Sequence, residues 1–294
     1  MRKFWKKGFT LLLGTLLAVS LIGCGSSADG TGSTAGGSGT ANIVNIGVTG
    51  SLVSFNPFVM DMSEMNHYSS GLMFLPLVEL DQNLNFVPML ADSITTEDNL
   101  TFTVHIDDAA TWSDGTPVTT ADVEYTVRRL CSPVVANPYM MYYVFEGVDD
   151  ETGFVEENAD SVAGIRIVDD KTITFTVKSP MSLISFENEY ARYMHILPKH
   201  VIEKFSEAEL TTNEWFSHPD VVSGPYMVTD FDPEHYVSYT ANTKYFKGAP
   251  KIEKLNFKIV EGSQILAGLK SGEIDVTHPT MSNIPETDYE SVEA

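Results

Sequence analysis

Positive charge is scarce in this sequence. Lys and Arg together number 18 against 40 Asp plus Glu, a formal net charge of −22. Four of those cations, Arg2, Lys3, Lys6 and Lys7, lie at the N-terminal extremity, so the rest of the chain is more acidic still. Such a chain has no electrostatic attraction for nucleic acid or for an anionic membrane surface, and its acidic excess suits solubility better than cation binding. Cysteine is scarcer, with only Cys24 and Cys131. The apolar run from Leu11 to Ile22 is interrupted by Gly14, Thr15 and Ser20 and is too short to span a bilayer as a stable anchor. Also missing are a Gly-x-Ser-x-Gly elbow, a phosphate loop and a Cys-x-x-Cys pair. The seven histidines include no pair three or four residues apart, and His195 and His200 are separated by five. These patterns give no support to catalytic residues, a metal site or a cofactor.

What is present at the N-terminus is an export signal. A basic head precedes the apolar run, which ends in Leu21-Ile22-Gly23-Cys24, the pattern of a bacterial lipobox whose cysteine becomes lipidated. Residues 1–23 are then a lipoprotein signal peptide. Cys24 and the Gly/Ser/Thr/Ala-rich stretch to residue 41 form a lipidated residue with a flexible linker, too poor in apolar side chains to offset its ordering entropy. With Cys24 lipidated, Cys131 has no partner for an intrachain disulfide.

Beyond the linker, about 250 residues of ordinary apolar content suffice for a core. Ile43 to Val48 is a short apolar strand, and Phe102, Val104 and Ile106 alternate with polar residues as a half-buried strand does. Ile165 to Val168 and Ile173 to Val177 predict a hairpin across Asp169-Asp170-Lys171. Tyr226 to Phe231 and Tyr236 to Tyr239 predict another across Asp232-Pro233-Glu234. Thr119 with Asp122 caps a helix that buries Val123, Val127 and Leu130 and stops at Ser132-Pro133. A second helix is expected over Ser263 to Lys270, with Leu266 and Leu269 inward and Gly272 past its end. Mixed strands and helices make the class α/β or α+β.

Several segments together resemble the family-5 extracellular solute-binding proteins, the peptide- and nickel-binding group of ABC importers. The strongest is Leu100 to Leu130, centred on Trp112-Ser113-Asp114-Gly115-Thr116-Pro117 and Thr119-Thr120-Ala121-Asp122-Val123. Ser54-Phe55-Asn56-Pro57, Leu75 to Leu80, Pro88 to Ala91, Ile196 to His200, Ser223-Gly224-Pro225-Tyr226, Asn242 to Phe246 and Leu269 to Asp275 follow in the same order. Asn56 stands where the family commonly has aspartate, and asparagine suits that turn equally. The Ser113 to Pro117 segment has tight-turn chemistry and Trp112 suits a core anchor.

The resemblance implies an α/β, periplasmic-binding-protein-like two-lobed fold of the class II type. This chain would carry mainly the N-terminal lobe with its inserted domain. Residues 42–78 and 199–276 would form the base domain, 79–198 the insertion, and 277–294 the start of a truncated second lobe. Ligand-facing positions carried over are Asn56, Met60, Asp61, Met62 and Ser63 after the turn, and Tyr139, Tyr142 and Tyr143 in the insertion. His195, Ser223, Gly224, His278 and Pro279 complete the candidates. Adaptable methionines and a carboxylate able to pair with a peptide amine suit that role. The methionines and tyrosines suit core packing as well.

The function implied is an extracytoplasmic receptor for a small solute, an oligopeptide above all, delivering it to ABC permease subunits. The protein would be monomeric and held on the membrane through Cys24. Alternatives are a nickel-chelate or oligosaccharide receptor of the same family, a receptor that signals peptide availability, or a secreted hydrolase, against which the missing nucleophile and base argue.

Overall fold

The computed structural model describes residues 42–61, 63–137, 142–157, 159–278 and 284–293. The signal peptide, Cys24 and the linker lie outside the described residues, as do Met62, Tyr139 and Pro279. No helix among the described residues is long and apolar enough to cross a membrane.

The strands run β1 (Ile43–Val48), β2 (Val78–Leu80), β3 (Phe86–Pro88), β4 (Ala91–Thr95), β5 (Thr101–Ile106), β6 (Ile165–Ile167), β7 (Thr172–Thr176), β8 (Tyr226–Asp232), β9 (Tyr236–Ala241), β10 (Lys254–Ile259) and β11 (Val276–Thr277). The α-helices are α1 (Glu64–Gly71), α2 (Thr120–Leu130), α3 (Leu183–Phe186), α4 (Lys199–Ile202), α5 (Gly262–Ser271) and α6 (Tyr289–Glu293).

A five-stranded sheet in the order β11-β1-β10-β9-β8 and a four-stranded sheet in the order β4-β5-β7-β6 organise the chain, with β2 and β3 paired separately. In the larger sheet β1 runs parallel to both β10 and β11, while β8, β9 and β10 are antiparallel neighbours. Two parallel strands need a crossover connection, which α5 supplies between β10 and β11. Residues 49–253 return between β1 and its partner β10, and the four-stranded antiparallel sheet lies wholly within that excursion.

Both expected hairpins form. Ile167 pairs with Ile173 in one, and Asp169 closes its turn by accepting the Lys171 and Thr172 N–H groups at 2.9 and 2.8 Å. In the other, Phe231 pairs with Val237, and a register shift between Val228 and Asp230 marks a bulge. Helix α2 starts as expected, Asp122 accepting the Thr119 N–H at 2.9 Å. Val123, Val127 and Leu130 are buried, as is Trp112. The second Asp122 oxygen accepts the Lys199 N–H at 2.9 Å, tying α2 to the start of α4.

Helix α5 corrects one expectation. It spans the expected residues, but Ile265 and Gly268 are its buried residues rather than Leu266 and Leu269. Ile274 packs closely beside both Gly47 of β1 and Gly268, so the contact line runs through the smallest helical residue and leaves the two leucines at its flanks. The core is one continuous cluster that includes a parallel stack of Phe102 on Phe186, with ring centroids 4.2 Å apart.

Candidate functional site

The turn after β1 uses its polar side chains internally. Asn56 is buried: its Oδ1 accepts the Phe58 N–H at 3.0 Å and its Nδ2 donates to the Leu210 carbonyl at 2.7 Å. Met60 is buried in the core. Ser63 is the N-cap of α1, and Asp61 accepts the Ser63 N–H at 3.0 Å and bonds to Asn66. Burial raises the Asp61 pKa, but the bonds from Ser63 and Asn66 outweigh it and hold the carboxyl below its ordinary range. Asn66 in turn accepts the Val53 N–H at 2.8 Å, so Asp61, Ser63 and Asn66 brace the loop that leads into α1.

Ser223 and Gly224 form a joint with the segment after α1. Their N–H groups donate to the Met73 carbonyl at 3.0 and 2.8 Å, and the Leu75 N–H donates to Ser223 Oγ at 3.0 Å. A Cβ at position 224 would lie 2.2 Å from the Leu72 carbonyl oxygen, closer than any side chain permits. Only glycine lets these two backbones approach so closely.

That joint fixes one wall of a cavity of about 270 Å³. Ile46 of β1 and Leu255 and Phe257 of β10 supply its floor of sheet residues. Tyr68, Gly71 and Leu72 come from α1 and the residue after it, and Leu75, Pro76, Met89 and Pro225 complete the apolar lining. His67, Glu79 and His278 also line it. The His278 ring packs on the Tyr68 ring with centroids 4.5 Å apart, and burial holds its pKa below the ordinary histidine value despite Glu64 nearby.

Behind this wall runs a buried polar chain. His195 is fully buried, and burial, with a smaller push from His67, lowers its pKa to about 3. Its Nδ1 lies 2.8 Å from the Phe74 carbonyl oxygen, which can only accept, so the His195 proton sits there and Nε2 is bare. Nε2 must then accept from His67 Nδ1 at 3.1 Å. The other nitrogen of His67 is 2.7 Å from Glu79 Oε2. Burial opposes ionisation of Glu79, yet bonds from His67, Leu80 and Arg192 hold its pKa at about 2. A carboxylate only accepts, so His67 Nε2 is the donor in that bond. Arg192 Nε donates to Glu79 Oε1 at 2.7 Å, so one carboxylate lies between the His67 ring and the Arg192 guanidinium.

The structure therefore brings His278 to the cavity and places His195 behind it, while Asn56, Met60, Ser223 and Gly224 serve the scaffold. Tyr143 is exposed and lines a separate cavity with Val144, Lys178, Pro180 and Met181. Tyr142 is buried and stacked on Phe145, with centroids 5.5 Å apart. Residues the sequence reading did not single out for the site are His67, Tyr68, Glu79, Met89 and Arg192. The readable signal was Glu79, a lone carboxylate in the apolar run Leu75 to Leu80, where burial demands a paired cation. Among the described residues no group of three His, Cys, Asp or Glu side chains is arranged to hold a metal ion.

A parallel-containing sheet with a long antiparallel excursion, and a cavity against that sheet, define an α/β lobe of the periplasmic-binding-protein type. The sequence profile of the bacterial extracellular solute-binding proteins, family 5 Middle, matches residues 85–292, and the chain belongs to that family. An ABC transporter peptide-binding protein of Brucella ovis is 29% identical over 215 residues, 72% of this chain and 37% of the relative. The periplasmic oligopeptide-binding protein OppA of Escherichia coli is 27% identical over 219 residues, 71% of this chain and 38% of the relative. The structure of the oligopeptide-binding protein AppA from Bacillus subtilis in complex with a nonapeptide shares the fold, with a TM-score of 0.70 at 23% identity over 86% of this chain and 46% of that one. The chain thus spans less than half the length of these relatives.

Proposed function

We propose that this chain is part of an extracytoplasmic receptor that binds oligopeptides and delivers them to the permease of an ABC importer. The observation that carries the reading is an apolar cavity walled by Tyr68 and His278 in a chain of the solute-binding family. The names of the Brucella and Escherichia relatives, both peptide-binding proteins, support the peptide as solute. The receptor acts by enclosing its ligand between two lobes, without covalent chemistry, and as a monomer. Residues 42–78 and 199–276 form its base, 79–198 an insertion, and 277–294 lead to the opposing lobe. His278 and Asp61 remain the sequence candidates best placed to meet a ligand: His278 lines the cavity, and Asp61 stays partly accessible. Cys24 carries a lipid that holds the receptor at the membrane, as the Leu21-Ile22-Gly23-Cys24 pattern supports.

Small molecules released on denaturing the protein purified from its native host test this reading. Short peptides should be recovered by mass spectrometry. Recovery of an oligosaccharide or a nickel chelate instead would contradict it.

A further inference from the structure

The cavity has a size and a chemistry that specify more than a peptide in general. Ligand sites that hold a whole small molecule commonly measure roughly 300–1,000 Å³. At about 270 Å³ this cavity suits a single large side chain rather than a peptide.

Most of its wall offers no partner to a polar group even though titratable residues contribute to it. Both His67 nitrogens are engaged, with His195 and with Glu79. Both Glu79 oxygens are engaged as well, Oε1 by the Leu80 N–H and Arg192 Nε and Oε2 by His67. Pro76 and Pro225 have no N–H to offer. Apart from the Tyr68 hydroxyl and the His278 imidazole, which packs on the Tyr68 ring, what remains is aliphatic or aromatic surface, with Met89 able to reshape itself around differing occupants. A charged or amide side chain entering here would lose its water and find no partner from these groups.

We infer that this cavity is an anchor pocket for one leucine-, methionine- or phenylalanine-like side chain of the peptide. The inference rests on the peptide-receptor reading and deepens it, making the receptor selective at one ligand position.

Two measurements test it. In the first, backbone amide shifts of the unmodified protein are followed by NMR during addition of N-acetyl-leucine amide, with N-acetyl-lysine amide as control. Shifts confined to Gly71, Leu72, Leu255, Phe257 and their neighbours, seen with the leucine probe alone, are expected. Equal shifts with both probes, or none at these residues, would overturn the pocket. In the second, glycine-rich peptides carrying one guest Leu, Phe, Lys or Glu are titrated calorimetrically into the protein and into Met89→Trp, whose indole would fill the cavity. Leu and Phe peptides should bind about tenfold or more tighter than Lys and Glu peptides, as burial of one large apolar side chain allows, and the variant should lose that preference. Peptide binding without side-chain preference, or a preference that survives Met89→Trp, would overturn the pocket and leave the peptide reading standing. Binding of the leucine probe in the cavity with no affinity for any peptide would instead overturn the peptide reading.

Discussion

Nδ1 of His67 lies 3.1 Å from Nε2 of His195, and that contact fixes where the protons of both rings are. His195 stays neutral because burial pushes its pKa from 6.5 to about 3. Between those values the unfolded chain takes up a proton that the folded chain refuses, so this contribution is fully present above pH 6.5 and is lost as pH falls toward 3. Glu79 acts in the same direction over a lower window, since its pKa is lowered from 4.5 to about 2. Urea midpoints should therefore fall with acid, with a slope of up to about 1.4 kcal/mol per pH unit for His195 alone. A stability profile flat from about pH 7 to about pH 4 would contradict this protonation scheme.

Glu79 bonds both His67 and Arg192, so Glu79→Gln leaves the largely buried Arg192 guanidinium and the His67 ring facing a neutral amide. Breaking such a group from one side should cost on the order of 3 kcal/mol in denaturant unfolding. Variants of equal stability would show that the chain of charges is inert.

Gly224→Ala should destabilise by about 3 kcal/mol, because the new methyl would meet backbone rather than a movable side chain. Thermal unfolding of the variant measures it. An unchanged midpoint would mean that the joint between residues 72–75 and 223–225 is looser than its geometry indicates.

Gly115 adopts a φ of +94° with open space around its Cβ position, so the cost of a side chain there is conformational strain alone. Gly115→Val is expected to lose about 1–3 kcal/mol, with equal denaturation midpoints as the contrary result.

Lipidation at Cys24 predicts that the expressed protein fractionates with membranes and that Cys24→Ala releases it or leaves an unprocessed precursor. Normal processing and unchanged fractionation of the variant would remove the anchor.

The elements legible in the sequence are those whose buried faces are apolar. Helix α2 shows Val123, Val127 and Leu130 at helical spacing, and β5 and β7 alternate cleanly. Helix α1 was not legible for the opposite reason: its buried residues are Met65, Asn66, His67, Ser69 and Ser70, so the face turned inward is mostly polar and carries no hydrophobic period. The same fact hid the site, since His67 sits on that face, and its partner His195 and the Arg192 that shares Glu79 with it are far off in sequence. Strand β10 did carry a signal, Leu255, Phe257 and Ile259 in alternation, though β11 is too short to announce itself. In α5 the choice between two apolar faces was decided by the contact of Ile274 with Gly47 and Gly268, which no local pattern reveals.

Calorimetric titration of the whole receptor to which this chain belongs, with a mixed oligopeptide library and separately with free amino acids, an oligosaccharide mixture and a nickel–histidine complex, tests the peptide reading most directly. Saturable heat is expected with the peptides alone. Saturable binding of the saccharides or of the nickel complex, with none of the peptides, would contradict it.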